Sequence, residues 1–297
     1  MRLAELPAVA GVGHRYVEVN GVQLHVAEAG SGPPLLLLHG WPQHWWCWRH
    51  VIPALAEDHR VLVPDLRGWG WSEAPAGDYS KATFADDVLA LIDAERFDRV
   101  DVIGHDWGGY VGYLLALKHP ERIRRMTVLD MPPPWLDKPR PRHLALPLLG
   151  SYQTLIAAPV IGTRALTAGG GRLVRRLIAG GSGPTMRWSE AELDAYAEVV
   201  SEPARARASS ACYRTFLTRE LPRSVLNGHR PGELRVPTLL AMGEKSPLRR
   251  VLAPRPSSNL RVEQIAGAGH FLPEEAPGAV LELAVAHLSA CCAPCEG

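Results

Sequence analysis

Three short segments hold residue types from which a hydrolytic centre could be assembled. In "VIGHDWGGY" (Val102–Tyr110) a carboxylate, Asp106, sits among small residues between an apolar stretch and a helical one. Turns of the G-x-S-x-G kind put a nucleophile there, because strand and helix backbones crowd each other and only small neighbours fit. The usual nucleophile in such a turn is serine. Aspartate changes the chemistry: its reference pKa of about 3.9 leaves it ionised at neutral pH without a base. It suits displacement at a saturated carbon that carries a leaving group, whereas serine suits acyl carbons. The product is an ester whose carbonyl belongs to the protein and is open to base-activated water.

The other two segments offer the parts such chemistry needs. "HGWP" (His39–Pro42) follows an apolar run, where a loop can turn a backbone N–H toward Asp106. The amides of Trp41 and Trp107 are the candidate oxyanion donors. "GAGHFLPEE" (Gly267–Glu275) places His270 in a small-residue turn near the end of the chain, where the order nucleophile, acid, histidine puts the base. Plainer readings exist for each piece: a glycine-rich turn with a helix-capping Asp106, and a surface His270. His105, beside the candidate nucleophile, is expected to point away into packing.

These residues must sit at strand ends, and the patterning supplies strands. "RYVEVNGVQLHVAEAG" (Arg15–Gly30) alternates around Asn20-Gly21, a type I′ hairpin signal. "PPLLLLHG", "RVLVPD", "RVDVIG" and "RIRRMTVLD" read as buried strands. Helical spacing covers 45–57, 80–95 (with Ser80 as N-cap) and 107–120. The alternation predicts a mostly parallel sheet covered by helices. It breaks at "MPPPWLDKPRPRHLALP", too proline-rich for strand or regular helix. Residues 132–231 read as helical and irregular. "TAGGGRL" and "IAGGSGP" look like flexible loops. Strands resume at 235–244 and 260–270, before a helix from about 273 to 290. The expected division is a core (1–131), a helical cap (132–231) and the rest of the core (232–297).

Composition excludes several classes. Among 297 residues, Lys plus Arg number 32 and Asp plus Glu 31, a net charge of +1. That balance gives no footprint for nucleic acid or an anionic membrane. No apolar run is long enough to span a bilayer, and the start lacks a signal-peptide core. Five cysteines, three of them in the closing "CCAPCEG", lack a second ligand cluster for zinc. A reduced, cytoplasmic, bacterial protein without metal or cofactor is the expectation, with a homodimer left open.

In order and spacing, "HGWPQHWWCWRHVIPAL", "VPDLRGWGWS", "VIGHDWGG" and "GAGHFLPEE" resemble the α/β-hydrolases of the epoxide hydrolase and haloalkane dehalogenase branch. The resemblance implies an α/β-hydrolase fold, a mostly parallel eight-stranded sheet with an inserted helical cap. It implies Asp106 as nucleophile and His270 as base. One feature departs from it: Ser246, in "GEKSPL", stands where these enzymes usually carry the triad acid. Serine cannot supply the negative charge that holds an imidazolium. Asp130, ending "TVLD", is the preferred replacement, since some dehalogenases of this branch place their acid there; Glu244 is the alternative.

"GSYQTL" and "ACYRTF" resemble the two cap segments that supply an epoxide-binding tyrosine pair, which assigns that role to Tyr152 and Tyr213, with Tyr196 a rival. The implied substrate is a small-molecule epoxide, opened to a vicinal diol, in detoxification or secondary metabolism. Nine tryptophans suggest an aromatic pocket for a bulky substrate, with Trp135, Trp188 and His39 as candidate contacts. A haloalkane dehalogenase is the second reading, with Trp107 as a halide donor. A non-catalytic binding protein on the same fold is the third, favoured by Ser246.

Overall fold

The computed structural model describes residues 4–135, 151–223 and 233–290. Strands β1 (Gly13–Val19) and β2 (Val22–Ala29) form an antiparallel hairpin, with Asn20 and Gly21 both at positive φ as a type I′ turn requires. The remaining strands are β3 (Pro34–Leu38), β4 (Arg60–Pro64), β5 (Val100–His105), β6 (Ile123–Leu129), β7 (Thr238–Gly243) and β8 (Leu260–Ile265). They join one eight-stranded sheet in the order β1-β2-β4-β3-β5-β6-β7-β8. All pairs from β4 to β8 are parallel.

Central β5 and β7 are buried at every position, as strands covered on both faces must be. Edge strand β8 mixes buried and exposed residues. Because neighbouring strands run in parallel, the ends of β3, β5, β6, β7 and β8 gather on one rim, where α/β folds place their ligands.

The helices between strands follow the sequence closely, with two breaks at prolines. Segment 45–57 is not one helix: a 3₁₀ turn (Trp45–Trp48) is followed by α1 (Ile52–Leu55). Pro53 has no N–H for a helical bond back to Arg49, so the helix must restart around it. Helix α2 (Lys81–Ala94) starts at Ser80, whose hydroxyl accepts from the Thr83 amide. Helix α3 (Trp107–Lys118) is buried on all sides from Trp107 to Ala116, as befits a helix wedged behind the elbow.

Between β6 and β7 lie α4 (Ser151–Ala157), α5 (Ile161–Thr167), α6 (Arg172–Gly181), α7 (Glu190–Ser201) and α8 (Pro203–Thr215), the last running into a π turn (Phe216–Glu220). These helices fit a cap. The "IAGGSGP" stretch is a correction, since α6 continues through Gly181 before the chain turns. The expected cap limit at 231, most of the proline-rich segment and the cysteine tail lie outside the described residues. Past β7 come α9 (Pro247–Leu252), then α10 (Leu272–Glu275) and α11 (Pro277–Ser289), the final helix being broken at Pro277. Among the described residues, no helix is long and apolar enough to cross a membrane.

Candidate active site

The turn from β5 into α3 holds Asp106 at φ +49°, a conformation L-residues rarely adopt, and exposes only 7% of the residue. Small neighbours permit it. A Cβ on Gly108 would come within 2.1 Å of the Leu38 carbonyl oxygen, and one on Gly40 within 2.3 Å of the Asp106 Cβ. The Trp41 amide donates to Asp106 Oδ2 at 2.9 Å, and the Trp107 amide also bonds the carboxylate. One carboxylate oxygen is therefore pinned, leaving Oδ1 as the oxygen able to attack.

His270 sits in a heavily tied loop. Its own amide donates to the Gly181 carbonyl at 2.9 Å. Glu275 Oε2 accepts from Gly269 and Gly183, both at 2.7 Å, and Glu275 Oε1 accepts from Phe271 at 2.8 Å. His105 is buried and donates from Nε2 to the His270 carbonyl at 2.8 Å, which ties the residue before the elbow to the histidine loop. The imidazole Nδ1 lies 2.7 Å from Asp130 Oδ2, and Nε2 lies 3.7 Å from Asp106 Oδ1. The first contact fixes the tautomer, so Nε2 keeps its lone pair on the Asp106 side.

Asp130 ends β6 at φ +47° and is fully buried. Its Oδ1 accepts from the Gly243 amide at 3.1 Å, and its Oδ2 accepts from the Ser246 hydroxyl at 2.6 Å as well as from His270. Ser246 is thus not an idle remnant: it holds the very oxygen that receives the imidazole N–H. Glu244 lies elsewhere, accepting from the Gly267 amide at 2.8 Å and pairing with Lys245.

Burial pushes the Asp106 carboxyl up to about 6, while the His270 charge and the Trp107 and Trp41 amides pull it down; it remains ionised at pH 7. Burial also works against an imidazolium at His270. The Asp130 hydrogen bond and the charges of Asp130, Asp106 and Glu275 outweigh that and raise its pKa above the ordinary value. A group so placed is a base only toward the alkaline side of its range, and it supports positive charge while water attacks.

Both tyrosines reach the same place from the cap. Tyr152 stacks on Trp41 with centroids 6.4 Å apart, and Tyr213 meets Trp41 edge-on at 5.2 Å and Trp107 at 5.8 Å. The two phenol rings are 6.0 Å apart. Burial raises both phenol pKa values and the Asp106 charge adds to the rise, so both remain protonated donors. Tyr196 is not part of this group; its hydroxyl bonds Glu274, beside Arg49.

The three expected substrate contacts have the following partners in the fold. His39 is fully buried, accepts from the Leu66 amide at 3.0 Å and donates to the Gly40 carbonyl at 3.1 Å, so both ring nitrogens brace the oxyanion loop. Trp135 packs edge-on against buried Tyr113, 5.8 Å away. Trp188 donates to Ser182 at 2.8 Å and packs on Tyr196 and Phe271.

Two participants were not singled out as site residues, Lys81 and, inside the quoted histidine segment, Glu275. Lys81 is fully buried, with its ammonium 4.4 Å from the Trp107 ring centroid and 2.8 Å from Glu220 of the cap. Glu275 lies in the short helix α10 and ties the histidine loop through its carboxylate. Among the described residues, one cluster (His50, Glu192, Glu274) has ligand-type atoms within 4.8 Å of one another. Arg49 already neutralises both its carboxylates, at 2.7 and 2.6 Å, which leaves little for a cation.

The sequence family described as alpha/beta hydrolase fold matches residues 33–161. A soluble epoxide hydrolase of Corynebacterium sp. (strain C12) is 33% identical over 284 residues, 92% of this chain and 96% of that protein. This chain belongs to the epoxide hydrolase branch of the α/β-hydrolases. A solved ligand-free epoxide hydrolase superposes on this α/β-hydrolase with a TM-score of 0.82 at 32% identity, covering 94% of this chain and 99% of the other. A fluoroacetate dehalogenase of Burkholderia sp. is 40% identical over a shorter stretch of the hydrolase, 42% of this chain and 43% of that protein.

Proposed function

We propose that the protein hydrolyses a small-molecule epoxide to a vicinal diol through an ester on Asp106. Asp106 Oδ1 attacks an epoxide carbon, and the C–O bond of the ring breaks. The oxygen that leaves stays tethered to the product and takes a proton as it develops charge, with Tyr152 and Tyr213 as donors. Help of this kind is worth about 10²–10⁴-fold. His270 Nε2 then takes a proton from water, which attacks the ester carbonyl carbon. The carbonyl oxygen is Oδ2, already facing the Trp41 amide. As it becomes an oxyanion, the amides of Trp41 and Trp107 stabilise it, each worth about 3 kcal/mol. Asp130 balances the imidazolium that forms. Collapse expels the diol with Oδ1 and leaves the oxygen of water on Asp106.

The observation that carries this reading is the contact between Asp130 and His270 Nδ1 at 2.7 Å, because it supplies the acid missing at Ser246 and argues against a non-catalytic binding protein. A single turnover of styrene oxide in H₂¹⁸O tests it. The expected result is unlabelled diol and an ¹⁸O atom in the peptide carrying Asp106; label in the first-turnover diol overturns the ester route.

One observation favours a dehalogenase as the second reading: the buried Trp107 indole N–H, next in the chain to Asp106, makes no close hydrogen bond among the described residues and faces only the Tyr213 phenol. Halide release from haloalkanes, with no diol from any epoxide, would select it.

A further inference from the structure

A cavity of about 660 Å³ opens between residues 74–77 with Tyr79, α5 and α8. None of Asp106, Asp130, His270, Tyr152 or Tyr213 lines it. Its size falls in the range of small-molecule sites. Pro75, Tyr79, Val160, Ala208 and Ala211 give it largely apolar walls, and no acidic residue is among the described residues that line it. Three arginines do: Arg164 from α5, and Arg207 and Arg214 from α8.

Arg164 and Arg207 are exposed, and nearby arginines differ in how they are held. Arg205, two residues from Arg207, is held by Glu202 at 3.0 Å, and Arg175 of α6 is paired with Asp194. Among the described residues, the guanidinium groups of Arg164 and Arg207 have neither an ion pair nor a hydrogen bond. Arg214 donates only a long bond, 3.3 Å, to the Ala157 carbonyl.

Two further observations point into the same cavity. Ser210 is 2% exposed and lines it, and among the described residues its buried hydroxyl has no hydrogen-bond partner. Buried hydroxyls are rarely left so. Ser210 lies three residues after Arg207 and four before Arg214, so the three side chains form one stripe along α8. Opposite, Val160 is held at φ +64°, a left-handed conformation costly for a β-branched residue. It nonetheless stays 60% exposed, as does Ile161 beside it.

We propose that this cavity binds a free monocarboxylate amphiphile. The carboxylate lies among Arg207, Ser210 and Arg214, with Arg164 closing from α5, and the hydrocarbon chain runs over Pro75, Tyr79 and Ala208 toward Val160. Charge selects the head group, since every charged group lining the cavity is a cation. The apolar walls select a chain rather than an inorganic anion.

Calorimetric titration of the whole protein with decanoate at low salt tests this. The expected result is saturable binding that weakens in high salt, weakens by about tenfold or more in the Arg164→Ala/Arg207→Ala double variant, and disappears in Ala211→Trp, which fills the cavity. Hydrolysis of epoxide should be unchanged in all these variants without decanoate. Four results overturn the proposal: no binding of decanoate, equal binding by both variants, equally tight binding of 1-decanol, or purely competitive inhibition with the same constant in parent and variants.

Discussion

Among the described residues, two histidine–aspartate pairs have the same length, and only one sits in the candidate active site. His270 Nδ1 meets Asp130 at 2.7 Å, and His25 Nδ1 meets Asp65 at 2.7 Å. Both aspartates are fully buried. What differs is the far side of each imidazole. Nε2 of His270 faces Asp106 at 3.7 Å, while Nε2 of His25 meets another imidazole, His14, at 3.0 Å. Asp65 also accepts the amides of Trp45 at 2.8 Å and Trp71 at 2.9 Å, and it stands 3.6 Å from His39. It knits together the loops around Trp45, Trp71 and His39. An ion pair of good geometry therefore says little about chemistry until the third group is identified.

Breaking each pair separates the two roles. Asp130→Asn should slow ester hydrolysis by about 10⁴-fold, because the tautomer and the counter-charge are lost together. Alkylation should continue, so mass spectrometry after mixing with an epoxide should find covalent enzyme accumulating. Asp65→Asn should instead lower stability by about 3–5 kcal/mol in denaturant titrations, as a buried pair loses one partner. The folded fraction should keep the parent ratio of alkylation to ester hydrolysis; covalent enzyme accumulating there would erase the contrast.

Phenol removal sharpens it from the cap side. Tyr213→Phe and Tyr152→Phe should each slow alkylation by about 10²-fold while sparing ester hydrolysis, the reverse of the Asp130 signature in rapid-quench measurements. Ser246→Ala removes one hydrogen bond to the oxygen that His270 uses. It should slow ester hydrolysis by about tenfold, the equivalent of roughly 1.4 kcal/mol, through the pre-steady-state rate of ester decay; an unchanged rate would make Ser246 only a helix cap.

The last contrast is in acid. Burial opposes ionisation of Asp65, but the His25 hydrogen bond and the charges of His25, His39 and His44 outweigh it and hold the carboxyl down to about 2. A carboxylate lowered on folding stabilises the protein above its unfolded pKa, near 3.8, and loses that contribution as pH falls through about 2. Parent protein should shed about 2 kcal/mol over that window. In Asp65→Asn that part of the acid arm should be absent.

Most of the core was legible in the chain. Alternation around Asn20-Gly21, the apolar runs before His39 and Asp106, and Ser80 ahead of a helix are local features, and local propensity and burial decide them. The exceptions were also local: Pro53 and Pro277 each divided a stretch whose spacing suggested one helix. The glycines beside Asp106 announced a tight turn because only they fit it. What no motif could reveal is which side chains meet across strand ends and across the cap. Ser246 lies 116 residues from the aspartate it bonds, Lys81 139 residues from Glu220 and His25 40 residues from Asp65. Such contacts depend on parallel register and on how the cap seats. "IAGGSGP" reads as a loose loop, yet Gly181 and Gly183 pack into the histidine turn, where a Cβ on Gly269 would come within 2.3 Å of the Gly183 nitrogen. The sequence determined the strand, the elbow and the residue types at the rim. Tertiary structure alone decided that His270 faces Asp106 while His25 faces His14, because the partner of an imidazole is set by which strand ends lie side by side.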